Sequence, residues 1–160
     1  MIPTEKMEVI GDHQKAAPVD VLSIARKLGL EVYETKKGEW PVNISGLIRR
    51  SGPDEESFEI IVNGNHNWFR QRFTIAHEIA HFVFHEHKIG DGIKDDVLYR
   101  SGLNSEIESE ANGFAADILM PWHLVDEQIQ AGETSIKNLA QTFQVSPASM
   151  SIRLGVPYES

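Results

Sequence analysis

The stretch that decides the fold runs from Arg72 to His81 and reads RFTIAHEIAH. It contains the pattern HExxH, in which His77 and His81 are four residues apart and Glu78 follows the first histidine. Residues four apart share one face of a helix, so the two imidazoles can bind a single Zn²⁺ ion. Glu78 would border that ion, where it can take a proton from the attacking water. The stretch therefore predicts a metallohydrolase.

The helix that carries this pattern, predicted at about residues 69–87, has the composition of an interior helix. Apolar side chains occupy two sides of the helical wheel: Phe73, Ala76, Ala80, Val83 and Phe84 on one side, and Ile75 and Phe82 nearly opposite. A helix that is apolar on more than one side is usually buried among its neighbours. Buried imidazoles need polar partners, and a metal ion is one such partner.

A catalytic zinc normally has three protein ligands and a water, so HExxH leaves one ligand to be found. The chain has no cysteine, and it does not contain the pattern HExxHxxGxxH, because Phe84 stands where that pattern has glycine. A carboxylate on another helix is the remaining option. The candidates lie on the next predicted helix, at about residues 104–119: Glu106, Glu108 and Glu110.

The helical wheel favours Glu108 as this ligand but leaves alternatives open. Glu108 shares a small, apolar face with Ala111, Asn112, Ala115 and Leu119, which suits packing against the HExxH helix. Asn112, one turn later, could hold the Glu108 carboxylate by a hydrogen bond. Glu110 points the other way and is the alternative ligand. Glu108 could also form a helix capping box with Ser105 and play only a structural role.

Other polar residues near the pattern allow weaker interpretations. His85 continues the histidine face by one turn, but the wheel rotates it away from the metal, which favours a hydrogen-bonding or packing role over ligation. His66 and His87 are expected at the surface. An oxyanion stabiliser is usually needed in peptide hydrolysis. The candidates for that role are His66, Tyr99, Arg100 and His123.

The remaining pattern predicts an α+β fold with a small three-stranded sheet. Strands are predicted at residues 30–34, 43–50 and 58–63, the last two forming an antiparallel pair with Ile44 and Ile48 facing inward. The predicted domain limits are a mobile lead-in at 1–16, a catalytic core at 17–121 and a helical segment at 122–160, packed on the core.

The C-terminal residues 134–154 resemble a helix-turn-helix pair, but the charge argues against DNA binding. This segment offers only Lys137 and Arg153 as cations for phosphate contacts, which favours a structural or protein-docking role. An acidic loop near Asp91, Asp95 and Asp96 is typical of a solvated surface, or could attract a basic substrate.

The length, the net charge and the apolar runs of the chain narrow the class of protein further. The chain has 160 residues with a net charge of −9, which argues against a large nucleic-acid footprint. The first residues carry charges where a signal peptide needs an apolar core. No apolar run reaches the roughly 18 residues needed to span a bilayer. We expect a cytoplasmic protein that binds neither membrane nor DNA directly.

Two blocks in this order resemble the ImmA/IrrE family of bacterial and phage metallopeptidases: FTIAHEIAHFVFH at 73–85 and ESEANGFAADILMP at 108–121. The resemblance extends over roughly residues 18–121. It implies a zincin-like metallopeptidase core, with His77, His81 and Glu108 as ligands of Zn²⁺ (or Mn²⁺) and Glu78 as catalytic base. It further implies that the substrate is a helix-turn-helix repressor whose cleavage switches on stress or mobile-element genes.

Two other classes of function remain open at this stage. The chain could be a non-catalytic transcriptional regulator that binds a partner or DNA through its C-terminal helices, although the intact Glu78 favours an enzyme. It could also be a zinc amidohydrolase of a small molecule, although the cysteine ligand of the peptide deformylases is absent.

Overall fold

Seven helices and one four-stranded sheet make up the part of the chain that the computed structural model describes, residues 1–90, 93–96 and 105–157. The helices are α1 (Pro3–Asp12), α2 (Val21–Lys27), α3 (Trp68–Phe84), α4 (Ser105–Leu119), α5 (Trp122–Gln130), α6 (Ile136–Phe143) and α7 (Pro147–Leu154). The strands are β1 (Leu30–Glu34), β2 (Ile44–Ser51), β3 (Ser57–Val62) and β4 (Ile93–Asp96). None of the helices in these ranges has the length and apolar character to cross a membrane. The predicted α+β class is confirmed.

The strand order in the sheet is β1-β3-β2-β4. β1 is parallel to β3, whereas β2 is antiparallel to both of its neighbours. The three predicted strands and the antiparallel pairing of β2 with β3 are confirmed. β4 is an addition, because the sequence pattern placed its residues in a loop.

One face of the sheet packs against α3 in the main core. Ile48 of β2 lies opposite Ile60 of β3, and both side chains are fully buried. Phe58 of β3 contacts Phe82 of α3 edge to face, with ring centroids 5.3 Å apart. Ile44 and Ile48, predicted to face inward, are 9% and 0% exposed. The sheet therefore forms the support on which the HExxH helix rests.

A glycine lets α3 approach the sheet closely. A Cβ atom at Gly46 of β2 would lie 2.5 Å from Cγ2 of Thr74 and 2.8 Å from the backbone oxygen of Ile61. The backbone oxygen cannot move aside as a side-chain end could. We therefore predict that Gly46→Ala strains the β2–β3 pairing at Ile61, pushes against Thr74 of α3 and destabilises the protein by about 1–3 kcal/mol.

Thermal unfolding tests this prediction, since each kcal/mol is worth roughly 2–4 °C in a domain of this size. Gly113→Ala in α4 is the matched control, because no atom lies within 4 Å of the added Cβ. The control should gain about 0.5–1 kcal/mol from the lower chain entropy of alanine. A Gly46→Ala protein as stable as the parent would contradict the close approach.

Arg72 of α3 joins the C-terminal helices to the core. Its guanidinium is buried and donates hydrogen bonds to the carbonyls of Val19 (2.7 Å), Phe143 (3.1 Å) and Gln144 (3.1 Å). Burial lowers the pKa of Arg72, and the charge of Asp20 opposes that change. The helices predicted at the C-terminus are present, and they share one hydrophobic core with α3 and the sheet. The domain limits themselves remain a prediction.

Residues 1–16, expected to be a mobile lead-in, contain helix α1. Its Lys6 is 1% exposed, and its ammonium group donates to the carbonyl of Phe82 at 2.7 Å. The same ammonium lies 3.1 Å from a carboxylate oxygen of Glu86 and 3.8 Å from the centroid of the Phe82 ring. Lys6 thus satisfies a carbonyl at the C-terminal end of α3, where a positive charge is favourable.

The segment after α1 donates hydrogen bonds to carbonyls near the C-terminal end of α4. The side-chain amide of Gln14 donates to the carbonyls of Asp117 (2.9 Å) and Ile118 (3.0 Å), close to the end of that helix. Residues before the catalytic core therefore contact the C-terminal ends of both α3 and α4. These two helices carry the candidate site.

Candidate metal centre

Helix α3 carries two histidines whose Nε2 atoms lie close together. The helix begins after Asn67, whose side chain accepts a hydrogen bond from the backbone N–H of Arg70 at 3.0 Å and so caps the N-terminus. His77 and His81 are 6% and 0% exposed, and their rings meet edge to face with centroids 4.7 Å apart. Their Nε2 atoms are 3.1 Å apart. The predicted pair of imidazoles is therefore in place.

Helix α4 brings Glu108 to these two nitrogens. Ala111 and Ala115 are fully buried, and their small side chains allow α4 to pack closely on α3. Glu108 is 1% exposed, with Oε2 at 3.1 Å from Nε2 of His77 and Oε1 at 3.1 Å from Nε2 of His81. The capping-box alternative depends on the residues at the start of α4 and stays a prediction.

The spacing of the three groups fits a bound metal ion. His77, His81 and Glu108 each offer one ligand atom, and all of these atoms lie within 4.8 Å of one another. Ligand atoms about 2.0–2.1 Å from a tetrahedral ion lie roughly 3.3 Å apart, close to the 3.1 Å separations seen here. Two imidazole nitrogens and a carboxylate oxygen are also a donor set of catalytic metal sites. The residues therefore form a His-His-Glu metal site.

Glu78 borders the ligand atoms. It is fully buried, and its Oε1 lies 4.0 Å from Nε2 of His77. This separation is too long for a direct hydrogen bond, but it leaves the carboxylate within reach of a molecule held beside that nitrogen. The position suits a group that exchanges a proton with a reactant at the site.

His77 is oriented from behind by Asn112 of α4. The amide oxygen Oδ1 lies 2.7 Å from Nδ1 of His77, and because an amide oxygen only accepts, Nδ1–H is the donor. The lone pair of neutral His77 is then on Nε2, facing the ligand set. The hydrogen bond from Asn112 to the Glu108 carboxylate, which the wheel suggested, stays a prediction. A wheel shows which residues share a face of α4, but not which atom of α3 lies opposite each of them.

His81 has a different support. Its Nδ1 lies 2.9 Å from Nδ1 of His85, and Nε2 of His85 lies 2.8 Å from Oε1 of Glu110. His85 is therefore a hydrogen-bonding residue, as its position on the wheel predicted. Burial lowers the pKa of His85, and the hydrogen bond that His85 donates to Glu110 opposes that change. Of the two carboxylates left open as third ligand, Glu108 meets the imidazole pair and Glu110 meets His85.

His66 does not lie at the surface as expected. It is 9% exposed, and its Nε2 donates to the carbonyl of Val42 at 2.8 Å. Burial is the main cause that lowers the pKa of His66. It precedes Trp68, the first residue of α3, and nine residues of helix span roughly 13 Å to His77. The role of His66 as an oxyanion stabiliser stays a prediction.

The other oxyanion candidates are placed as follows. His123 donates from Nε2 to the carbonyl of Gln14 at 2.8 Å. Tyr99 and Arg100 lie outside the described residues, as does Asp91 of the acidic loop. Asp95 and Asp96 form part of β4, where the backbone pairs with β2.

Together, the HExxH helix on a mixed sheet and the His-His-Glu cluster are typical of a zincin core. The family profile described as "IrrE N-terminal-like domain" matches residues 25–155, and the chain belongs to this family. Helix α1 lies before the matched range.

Two relatives of known name support this membership. The chain is 36% identical over 108 residues to the radiation response metalloprotease IrrE of Deinococcus deserti, and 35% identical over 103 residues to that of Deinococcus radiodurans. Each match includes 60% of this chain but only 35% and 30% of the respective relative, so the chain spans about a third of their length.

A solved structure, titled as a Mycobacterium tuberculosis transcriptional regulator, has the same fold. It superposes with a TM-score of 0.62 over 98% of this chain and 47% of the other. The sequence identity is 16%, so this likeness concerns the fold alone.

Proposed function

We propose that the protein is a zinc endopeptidase that hydrolyses a peptide bond in one specific regulatory protein, a DNA-binding helix-turn-helix repressor. The observation that carries this proposal is the convergence of His77, His81 and Glu108, with the buried carboxylate of Glu78 beside them. The names of the two Deinococcus relatives support proteolysis in a stress response. Transcription control and a cytoplasmic location belong to the same proposal.

The three ligands would hold Zn²⁺, with Mn²⁺ as the alternative ion. When bound, the ion lowers the pKa of water towards about 7 and polarises the scissile carbonyl. The protein orients the two imidazoles through Asn112 and His85. Glu78 then accepts a proton from the attacking water and delivers it to the leaving amine, as a general base followed by a general acid.

The C-terminal helices support a protein substrate better than DNA. Arg153, one of the two cations of the helix-turn-helix-like segment, is held within the chain. It bonds Asp117 at 2.9 Å and the carbonyl of Met120 at 3.0 Å, and it stacks on the ring of Trp122. A guanidinium held in this way is a poor phosphate contact, which favours docking or structural roles for this segment.

A cleavage assay tests the proposal. The zinc-loaded protein is incubated with the repressor encoded beside its gene, and the products are weighed by intact-protein mass spectrometry. We expect two fragments whose masses sum to the repressor plus one water, with none after metal is removed by a chelator and recovery when zinc is restored. A stable complex with uncut repressor would instead indicate a binding module. Hydrolysis of small amides alone would indicate an amidohydrolase.

A further inference from the structure

His81 is linked to Glu110 through a chain of two hydrogen bonds, and the chemistry of the groups gives this chain a direction. A carboxylate only accepts, so Nε2–H of His85 donates to Glu110. The other nitrogen of neutral His85, Nδ1, is then an acceptor. It lies 2.9 Å from Nδ1 of His81, which must therefore carry the donated hydrogen. The lone pair of His81 is left on Nε2, facing Glu108.

We infer that His85 and Glu110 are positioning residues that hold His81 in the ring orientation and tautomer required for metal binding. The inference rests on the proposed metal site and adds two residues that act through a ligand. Each histidine is then held by a different residue: Asn112 accepts a hydrogen bond from His77, and His85 accepts one from His81. Hydrogen bonds of this kind commonly fix the tautomer of a metal-binding histidine and increase its basicity.

Burial explains why His81 needs this support. Its side chain is 0% exposed, so water cannot replace a missing acceptor for Nδ1–H. A buried donor without an acceptor is costly, and rotation of the ring would turn N–H towards the other ligands. The Glu110 side chain is 56% exposed, so solvent screens its charge. The affinity for zinc should therefore depend more on the acceptor nitrogen of His85 than on the negative charge of Glu110.

The test compares variants that keep or remove each acceptor. His85→Phe keeps a ring but has no acceptor for His81, and its zinc Kd should rise about 10–100-fold. His85→Gln offers an amide oxygen in the same region and should recover most of that loss. Glu110→Gln keeps an acceptor for His85 and should change the Kd less than Glu110→Leu, which removes it. Glu106→Gln, at an exposed position of α4, is the control and should match the parent.

Zinc affinity is measured by competition with a chromogenic chelator, without any substrate. The visible spectrum of the Co²⁺-loaded proteins reports the ligand geometry, and urea unfolding of the metal-free proteins reports stability. If His85→Phe does not fold, the Glu110→Leu and Glu110→Gln pair makes the same comparison. Rescue by the glutamine variants at equal stability would support the inference, because a packing role does not depend on an acceptor.

Two results would overturn the positioning role alone. Parental zinc affinity in both His85→Phe and Glu110→Leu would show that His81 needs no support, and the metal site would still stand. Equal loss in His85→Phe and His85→Gln would show that the histidine ring only packs. A parent protein that binds no zinc would contradict the proposed function itself, and the positioning role with it.

Discussion

The Glu78→Gln protein should bind zinc as the parent does, yet cleave the repressor about 10²–10⁴ times more slowly. Glutamine has nearly the size and shape of glutamate but cannot accept a proton at neutral pH. Glu78 is fully buried and lies 4.0 Å from Nε2 of His77, beside the ligand set. The change therefore removes the proposed base and leaves the three ligands in place. Single-turnover cleavage rates with excess enzyme, together with the zinc content, measure both effects.

The matched control for Glu78→Gln is Glu106→Gln, which removes the same charge from an exposed position on α4. Its cleavage rate should equal that of the parent, so that the loss can be assigned to the position and not to net charge. A Glu78→Gln protein that cleaves at the parental rate would contradict the role of Glu78. Loss of zinc from this variant would show instead that Glu78 is part of the ligand set.

Glu108→Ala should lose most of the affinity for zinc. The binding free energy of Zn²⁺ at a four-ligand site in a small domain is about 10–16 kcal/mol, or roughly 2.5–4 kcal/mol per ligand. Removal of one ligand should then raise the zinc Kd on the order of 10²–10³-fold. The carboxylate of Glu108 lies 3.1 Å from both histidine nitrogens, whereas Glu110 contacts His85. Chelator competition measures the change.

Glu110→Gln is the comparison that makes the Glu108 result specific. It should raise the zinc Kd less than about tenfold, since glutamine still accepts a hydrogen bond from His85. Comparable losses in both variants, or a larger loss at Glu110, would contradict the choice of Glu108 as third ligand. The unfolding midpoint of each metal-free protein shows whether the fold is retained.

The parts of the fold that sequence could predict have strong local periodicity. Alternation at residues 30–34 predicted β1, aromatic and β-branched residues at 58–63 predicted β3, and the two-sided apolar pattern predicted a buried α3. The small residues Ala111 and Ala115 indicated which face of α4 meets α3, and with it the third candidate ligand. Regular spacing thus predicted the elements and the three groups of the metal site.

Elements without such a pattern were missed. In α1 the only buried residues are Lys6 and Ile10, so a lysine occupies a core position and the hydrophobic period is interrupted. Only the carbonyl of Phe82 and the carboxylate of Glu86, 76 and 80 residues away, show why a lysine is buried there. β4 is four residues long and half acidic, and it is a strand because of its pairing with β2.

The hydrogen bonds that orient the two histidines could not be predicted from the periodicity of the sequence, for a different reason. A helical wheel assigns faces, but the offset along two crossing helices decides which side chains meet. Asn112 reaches His77 and Glu110 reaches His85 because of that offset. These contacts follow from the packing of α3 on α4, which sequence spacing alone does not specify.

One metal ion should bind between α3 and α4, and anomalous X-ray scattering at the zinc edge shows whether it does. Crystals of the zinc-loaded protein should show one strong peak about 2.0–2.2 Å from Nε2 of His77, Nε2 of His81 and a carboxylate oxygen of Glu108. No peak at this position, or a peak bound by Glu110 instead of Glu108, would contradict the account.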